Sequence, residues 1–201
     1  MRLPHSLRTT AVLVVLAAGV AVLPIASTAA ADGSGRSARA VVRDTTGATI
    51  GTVTLTSNGS KLFVVGSLSR LTPGFHGYHI HAVGICDPRA TDAAGNIVPF
   101  ASAGGHLNPG GAVHGHHAGD LPLLLVASDG RATSANETDA VTLAAIFDAD
   151  GAAIIIHAAP DNYANIPTRY SAAGVPGPDA ATLATGDSGG RVACGVVTRD
   201  R

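Results

Sequence analysis

The chain has 201 residues, 46% of them hydrophobic, with a formal net charge of −1, which suits one domain of ordinary size. Only one lysine, Lys61, is present, and no basic patch stands ready to neutralise phosphates, which argues against nucleic acid as a partner.

Residues 1–31 read as a secretory signal peptide. Arg2 and Arg8 flank a basic start, Ala11–Ile25 is apolar, and Ala29-Ala30-Ala31 offers small residues for cleavage near Ala31. The apolar run is broken by Pro24 and is short for a bilayer, so no membrane span is expected in the mature chain. No cysteine lies near the cleavage point to take a lipid. A secreted, extracellular protein follows, of bacterial type by its Ala/Gly-rich composition. A flexible Gly/Ser-rich linker is expected over 32–38, and a single domain over 39–199.

Within that domain short apolar-alternating runs recur between turn residues. Strands are expected at Ala40–Asp44, Thr49–Thr56, Lys61–Ser69, Phe75–Ala82, Leu121–Ala127, Arg131–Ala135, Ala152–His157 and Val192–Thr198. Asn58-Gly59 and Asp129-Gly130 mark hairpins. Val141–Phe147 suits either a strand or a helical turn. With no convincing amphipathic helix and no internal repeat, the class is all-β, an eight-stranded sandwich or flattened barrel.

Two segments break the rhythm. Gly84–Asp120 and Ala158–Gly190 are long and rich in Gly, Pro, Asp and Asn, as functional loops are. Each follows a histidine-bearing strand.

Eight of the nine histidines lie between residues 76 and 157. His79 and His81 stand two apart in a β-prone run, so both rings project from one face. Two imidazoles side by side supply half of the nitrogen set that divalent copper favours. The first long loop adds His106, His114, His116, His117 and Asp120, and imidazoles with a carboxylate suit tetrahedral zinc. Alone, that loop reads as a solvated His/Gly-rich segment, and a lone His157 after an apolar strand reads as a core histidine. The two readings weaken when all these residues are taken together.

Cys86 and Cys194 are the only cysteines. An exported pair normally closes into a disulfide, and the absence of a CxxC spacing disfavours a redox dithiol or thiolate site. Closing a loop of over a hundred residues is worth at most about 4 kcal/mol by chain entropy.

Across essentially the whole mature chain the sequence resembles the copper–zinc superoxide dismutase family. GFHGYHIHAVGIC, SAGGHLNP, HHAGDLP, IIIHAAPDN and GGRVACGVV occur in the family's order. The resemblance implies an eight-stranded Greek-key β-sandwich with two long functional loops, and copper and zinc as cofactors. By position, His79, His81, His106 and His157 are implied as copper ligands. His106, His114, His117 and Asp120 are implied as zinc ligands, so His106 would bridge the two metals and should lie within ~10 Å of His157 on ordinary coordination lengths. His117 is preferred to His116 because it stands three before Asp120. Asp161 is implied as the carboxylate joining one histidine of each set, and Arg191, with His106, as a catalytic residue. The disulfide would pin the first long loop to the segment carrying Arg191. His76 is left with a structural hydrogen bond.

The activity so implied is conversion of superoxide to dioxygen and hydrogen peroxide, with copper cycling between two oxidation states and zinc orienting the bridging ring. The family's eukaryotic-type members carry lysines in the loop after the last copper ligand. Ala158–Gly190 has none and only Arg169 is basic, which implies weaker salt dependence of rate. The tight spacing of His114 and His117 keeps a copper-only dismutase with weak zinc binding open. The other readings are a non-catalytic exported copper-binding or copper-buffering protein and a β-sandwich interaction module with incidental histidines. A metal hydrolase is disfavoured because Glu137, the sole glutamate, is far in sequence from the histidines. A homodimer is left open.

Overall fold

The computed structural model describes residues 36–200, so the signal-peptide reading of residues 1–31 lies outside the described residues. The strands are β1 (Ser37–Asp44), β2 (Thr49–Asn58), β3 (Lys61–Leu68), β4 (Gly74–His76), β5 (Tyr78–His81), β6 (Leu124–Val126), β7 (Ala132–Thr138), β8 (Ala153–His157), β9 (Ser171–Ala172), β10 (Val175–Pro176) and β11 (Arg191–Arg199). β1 begins inside the stretch read as linker, because Ala38 already pairs with Leu55 and Arg199 and is fully buried.

Seven strands form one antiparallel sheet in the order β5-β8-β11-β1-β2-β3-β7. Its ends approach each other through β6 and β4. β7 turns through Asp129-Gly130, where Ala127 N–H donates to the Arg131 carbonyl at 2.8 Å, into β6, and β6 pairs with β4. β4 runs on into β5, at the far end of the order. The expected strand Phe75–Ala82 is therefore two, broken at Gly77. That residue leaves the ladder and bonds across it: its N–H donates to the Ala159 carbonyl and its carbonyl accepts from His157 N–H. Counted as one interrupted strand, β4–β5 restores the expected eight-stranded flattened barrel.

Alternation explains the core. β1 turns in Ala38, Ala40 and Val42; β2, Val53 and Leu55; β3, Leu62, Val64 and Leu68. The hairpin after β2 pairs Asn58 with Lys61, so Gly59 and Ser60 make the turn, one residue later than an Asn-Gly turn. Val141–Phe147 resolves as a single helical turn, α1 (Leu143–Ile146), capped by Thr142 and burying Val141, Leu143 and Ile146. The second long loop holds the β9–β10 hairpin and another turn of helix, α2 (Thr182–Thr185).

β5 and β8 are buried on both faces. Tyr78, Ile80, Ile154 and Ile156 enter the main core, whereas Ile155 and Ala153 meet Phe100, Ala103 and Cys194 in a separate cluster beneath the first long loop. His79 and His81 share the outer face of β5, opposite Ile155 and Ala153 of β8. The Cys86–Cys194 disulfide forms, with Cα atoms 5.6 Å apart.

Candidate metal centre

The first long loop returns to complete β5. Leu107 N–H donates to the Ile80 carbonyl and Ile80 N–H to that of Gly119, each at 2.8 Å. A Cβ at position 119 would stand 2.2 Å from the Ile80 oxygen, so only glycine allows this approach. The result sets His106 beside His81 and Asp120 beside His79 as bridge partners. From the other side, a register shift between Arg191 and Ala193 sets Arg191 opposite His157, at the end of β8.

Four rings converge. Ring centres of His79 and His106 are 3.9 Å apart, His81 and His106 4.9 Å, and His106 and His157 6.0 Å, inside the ~10 Å expected from coordination lengths. One nitrogen of each ring is engaged by the protein. His79 Nε2 donates to Asp161 Oδ2 (2.6 Å), His81 Nδ1 to the Gly104 carbonyl (2.9 Å), His157 Nδ1 to the Gly189 carbonyl (2.9 Å), and His106 Nδ1 contacts Asp120 Oδ1 (2.8 Å). The remaining nitrogens, His79 Nδ1, His81 Nε2, His106 Nε2 and His157 Nε2, are buried without a partner. Their ligand atoms all lie within 4.8 Å of one another. A buried polar atom without a partner costs free energy, and four converging lone pairs share one natural remedy, a cation.

A second cluster begins on the other side of His106. His117 Nδ1 lies 3.4 Å from both His106 Nδ1 and Asp120 Oδ1, and His114 Nδ1, itself without a hydrogen bond, lies 3.4 Å from Asp120 Oδ2. Gly115 and His117 N–H groups hold Asp120 Oδ2 at 2.8 and 3.0 Å. His116 points to solvent, whereas His117 is buried. Because the clusters abut, donor atoms of His79, His106, His114 and Asp120 also gather within 4.8 Å.

Asp161 joins the two. Oδ2 accepts from His79 Nε2, and Oδ1 lies 2.8 Å from His114 Nε2 and accepts from Tyr163 N–H at 2.7 Å. Burial alone would raise this carboxyl, but the His79 and His114 bonds pull it down to about 2. Burial likewise works against Asp120, which the His106 bond nevertheless holds below the ordinary carboxylate range. Both are anionic at neutral pH. The histidines move the other way from charge: burial pushes His79 down to about 4 and His157 to about 3, and holds His81 well below its usual value. They are neutral, with lone pairs free.

Those shifts give a stability prediction for the metal-free chain. Above about pH 6.5 His79 and His157 are neutral folded or unfolded, so they add no pH dependence. Below it the unfolded chain takes up protons that the folded one refuses until about 4 and 3, so stability falls through that window. Each ring costs about 1.4 kcal/mol per pH unit. The metal-free protein should melt roughly 10 °C lower at pH 5 than at pH 7.5, and a flat melting profile would contradict it.

Arg191 binds the roof. Its Nη1 donates to the Phe100 carbonyl and its Nη2 to the Gly104 carbonyl, and the side of Phe100 rests in the cluster with Cys86 and Cys194. A cavity of about 490 Å3 opens here, lined by His81, His106, His157, Thr185, Asp187 and Arg191 among others. Arg169 is not among its lining residues; its guanidinium lies 4.9 Å from the centre of the Tyr170 ring.

Apart from His76, the remaining contributors carry no reading in the sequence. His76 bonds the His157 carbonyl through Nδ1 (2.6 Å) and the Thr72 carbonyl through Nε2 (2.8 Å), which bears out a structural hydrogen bond. Tyr163 lies parallel to the His114 ring and its hydroxyl accepts from Leu123 N–H at 2.8 Å, tying the second long loop to the segment that follows the first. Gly186, at φ +59, leaves room for the carboxylate: a Cβ would fall 1.8 Å from Asp161 Oδ1 and 2.3 Å from His114 Nε2. A glycine five before Arg191 in a Gly-rich run signals only a loop.

The model of one protein family, copper/zinc superoxide dismutase (SODC), matches residues 49–197. The chain belongs to that family. A copper–zinc superoxide dismutase of Mycolicibacterium paratuberculosis is 49% identical over 130 residues, 63% of this chain and 57% of that protein. The chain thus spans less than two thirds of the length of that relative. One of Deinococcus radiodurans is 34% identical over 199 residues, covering 94% of this chain and 96% of its own. Among solved structures, the Cu/Zn superoxide dismutase of Brucella abortus is similar at TM-score 0.61 and 30% identity, over 80% of this chain and 98% of its own. The donor chemistry fits the family's two metals. Four imidazole nitrogens suit copper, and three imidazoles with a carboxylate suit zinc. Among the described residues no helix is long and apolar enough to cross a membrane.

Proposed function

We propose that this chain is an exported superoxide dismutase whose catalytic domain covers 39–199. His79, His81, His106 and His157 would hold copper, and His106, His114, His117 and Asp120 would hold zinc. The observation that carries the reading is His106. Its Nε2 is buried without a partner on the side of the first cluster, while its Nδ1 faces Asp120 and His117 in the second. Copper held by these residues would supply a one-electron couple for superoxide, and zinc would help keep the His106 ring oriented.

The chain's own groups supply the rest. Arg191 keeps its charge although burial lowers its pKa. With the Phe100 and Gly104 carbonyls fixing its orientation, its remaining N–H donors can hold a small anion at the cavity. His106 can carry a proton on Nε2 and pass it to the peroxide product. Asp161 holds the rings of His79 and His114 in one tautomer, as carboxylates behind metal-binding histidines do. Export is supported by the leader-like first 31 residues and by a disulfide, which persists in oxidising surroundings.

The test is metal analysis of the purified protein coupled to a cyanide-sensitive dismutation assay. Equal amounts of copper and zinc with cyanide-sensitive activity are expected. Copper without dismutation would instead make the protein a buffer, and activity without zinc a copper-only enzyme.

A further inference from the structure

The cavity above His81, His106 and His157 has a lining that an anion path would not be expected to have. Arg191 shares this lining with a carboxylate, Asp187, an exposed residue. The chain holds it there on purpose-built contacts. Asp187 sits at φ +55, a left-handed conformation that short polar residues tolerate. Its Oδ2 accepts from Asn162 Nδ2 at 2.6 Å and from Thr182 Oγ1 at 2.9 Å. These bonds hold the exposed carboxylate in one orientation. No other charge of the same loop is among the lining residues: Arg169 lies over Tyr170, Asp179 accepts from Thr182 N–H at 2.9 Å, and Asp161 is buried against His79 and His114.

We propose that Asp187 is a selectivity residue of the cavity, a fixed negative charge that offsets Arg191 and limits how readily small anions reach the copper position. The inference rests on the reading of this cavity as the anion's path. It also gives a reason beyond the missing lysines to expect a weak salt dependence, because an attracting and a repelling charge at one mouth are screened together.

Azide binding to the copper-loaded protein, followed by its visible absorption, tests this without reference to turnover. Asp187→Asn preserves the network, since the amide oxygen can accept from Asn162 and the amide N–H can donate to Thr182 Oγ1. It should bind azide about threefold to tenfold more tightly at low ionic strength, with the gain closing at high salt. Asp179→Asn removes the same net charge outside the cavity and should bind azide as the unaltered protein does. In the unaltered protein azide affinity should vary little with salt, a measurement that needs no variant. Equal affinities in all three proteins, or a steep salt dependence in the unaltered one, would overturn the inference. Tighter azide binding by Asp187→Asn with no dismutation by any of them would sustain it as anion selection and overturn the dismutase reading alone.

Discussion

Asp161→Ala is expected to weaken binding of both metals together, by about 10- to 100-fold each. The carboxylate touches neither proposed metal position. It acts through His79 Nε2 at 2.6 Å on one side and His114 Nε2 at 2.8 Å on the other. Without it both rings lose the acceptor that fixes their tautomer, and two buried N–H groups are stranded. Chelator competition with copper and with zinc, measured separately, reads the effect. Asp161→Asn should recover only part, because one amide group offers an acceptor to one ring and a clashing N–H to the other. Loss of affinity for one metal alone would mean that Asp161 does not couple the clusters.

Arg191→Ala is expected to lower the second-order rate of dismutation at least tenfold while copper content stays unchanged, a size typical of losing the attracting charge at a focusing cleft. Arg191→Lys separates charge from geometry. A lysine restores the point charge, yet it cannot span the carbonyls of Phe100 and Gly104 and still offer donors to an anion. Its rate should fall between the other two, with salt dependence nearer to the unaltered protein. Rates are read by stopped flow beside metal analysis of the same samples. An Arg191→Ala protein that turns over superoxide undiminished would remove the anion-docking role.

Much of this centre was legible because strand periodicity is rigid. Two residues apart on a strand means one face, and His79 and His81 do share the outer face of β5. The clustering of His106, His114, His117 and Asp120 followed from a resemblance in the long loop rather than from periodicity, which a loop lacks. What sequence could not carry is tertiary. The break at Gly77 depends on bonds to Ala159 and His157 far along the chain. The Arg191 clamp uses backbone carbonyls, which every residue has, so Phe100 and Gly104 announce nothing by their identity. Tyr163 and Gly186 matter by where the second loop folds, and Asp187 by the cavity it happens to border. Short elements also escaped: β9, β10 and α2 are each held by local turns too brief to pattern.

The placement of Phe100 links the guanidinium to the thiol chemistry of the surroundings. Phe100 packs with Cys86 and Cys194, and its carbonyl is one of the two hooks that hold Arg191. In reducing surroundings the two sulfurs would part and the Phe100 carbonyl would lose the anchor that fixes the Arg191 guanidinium. One covalent link thus serves two ends, closing the long loop and seating the carbonyl that orients Arg191.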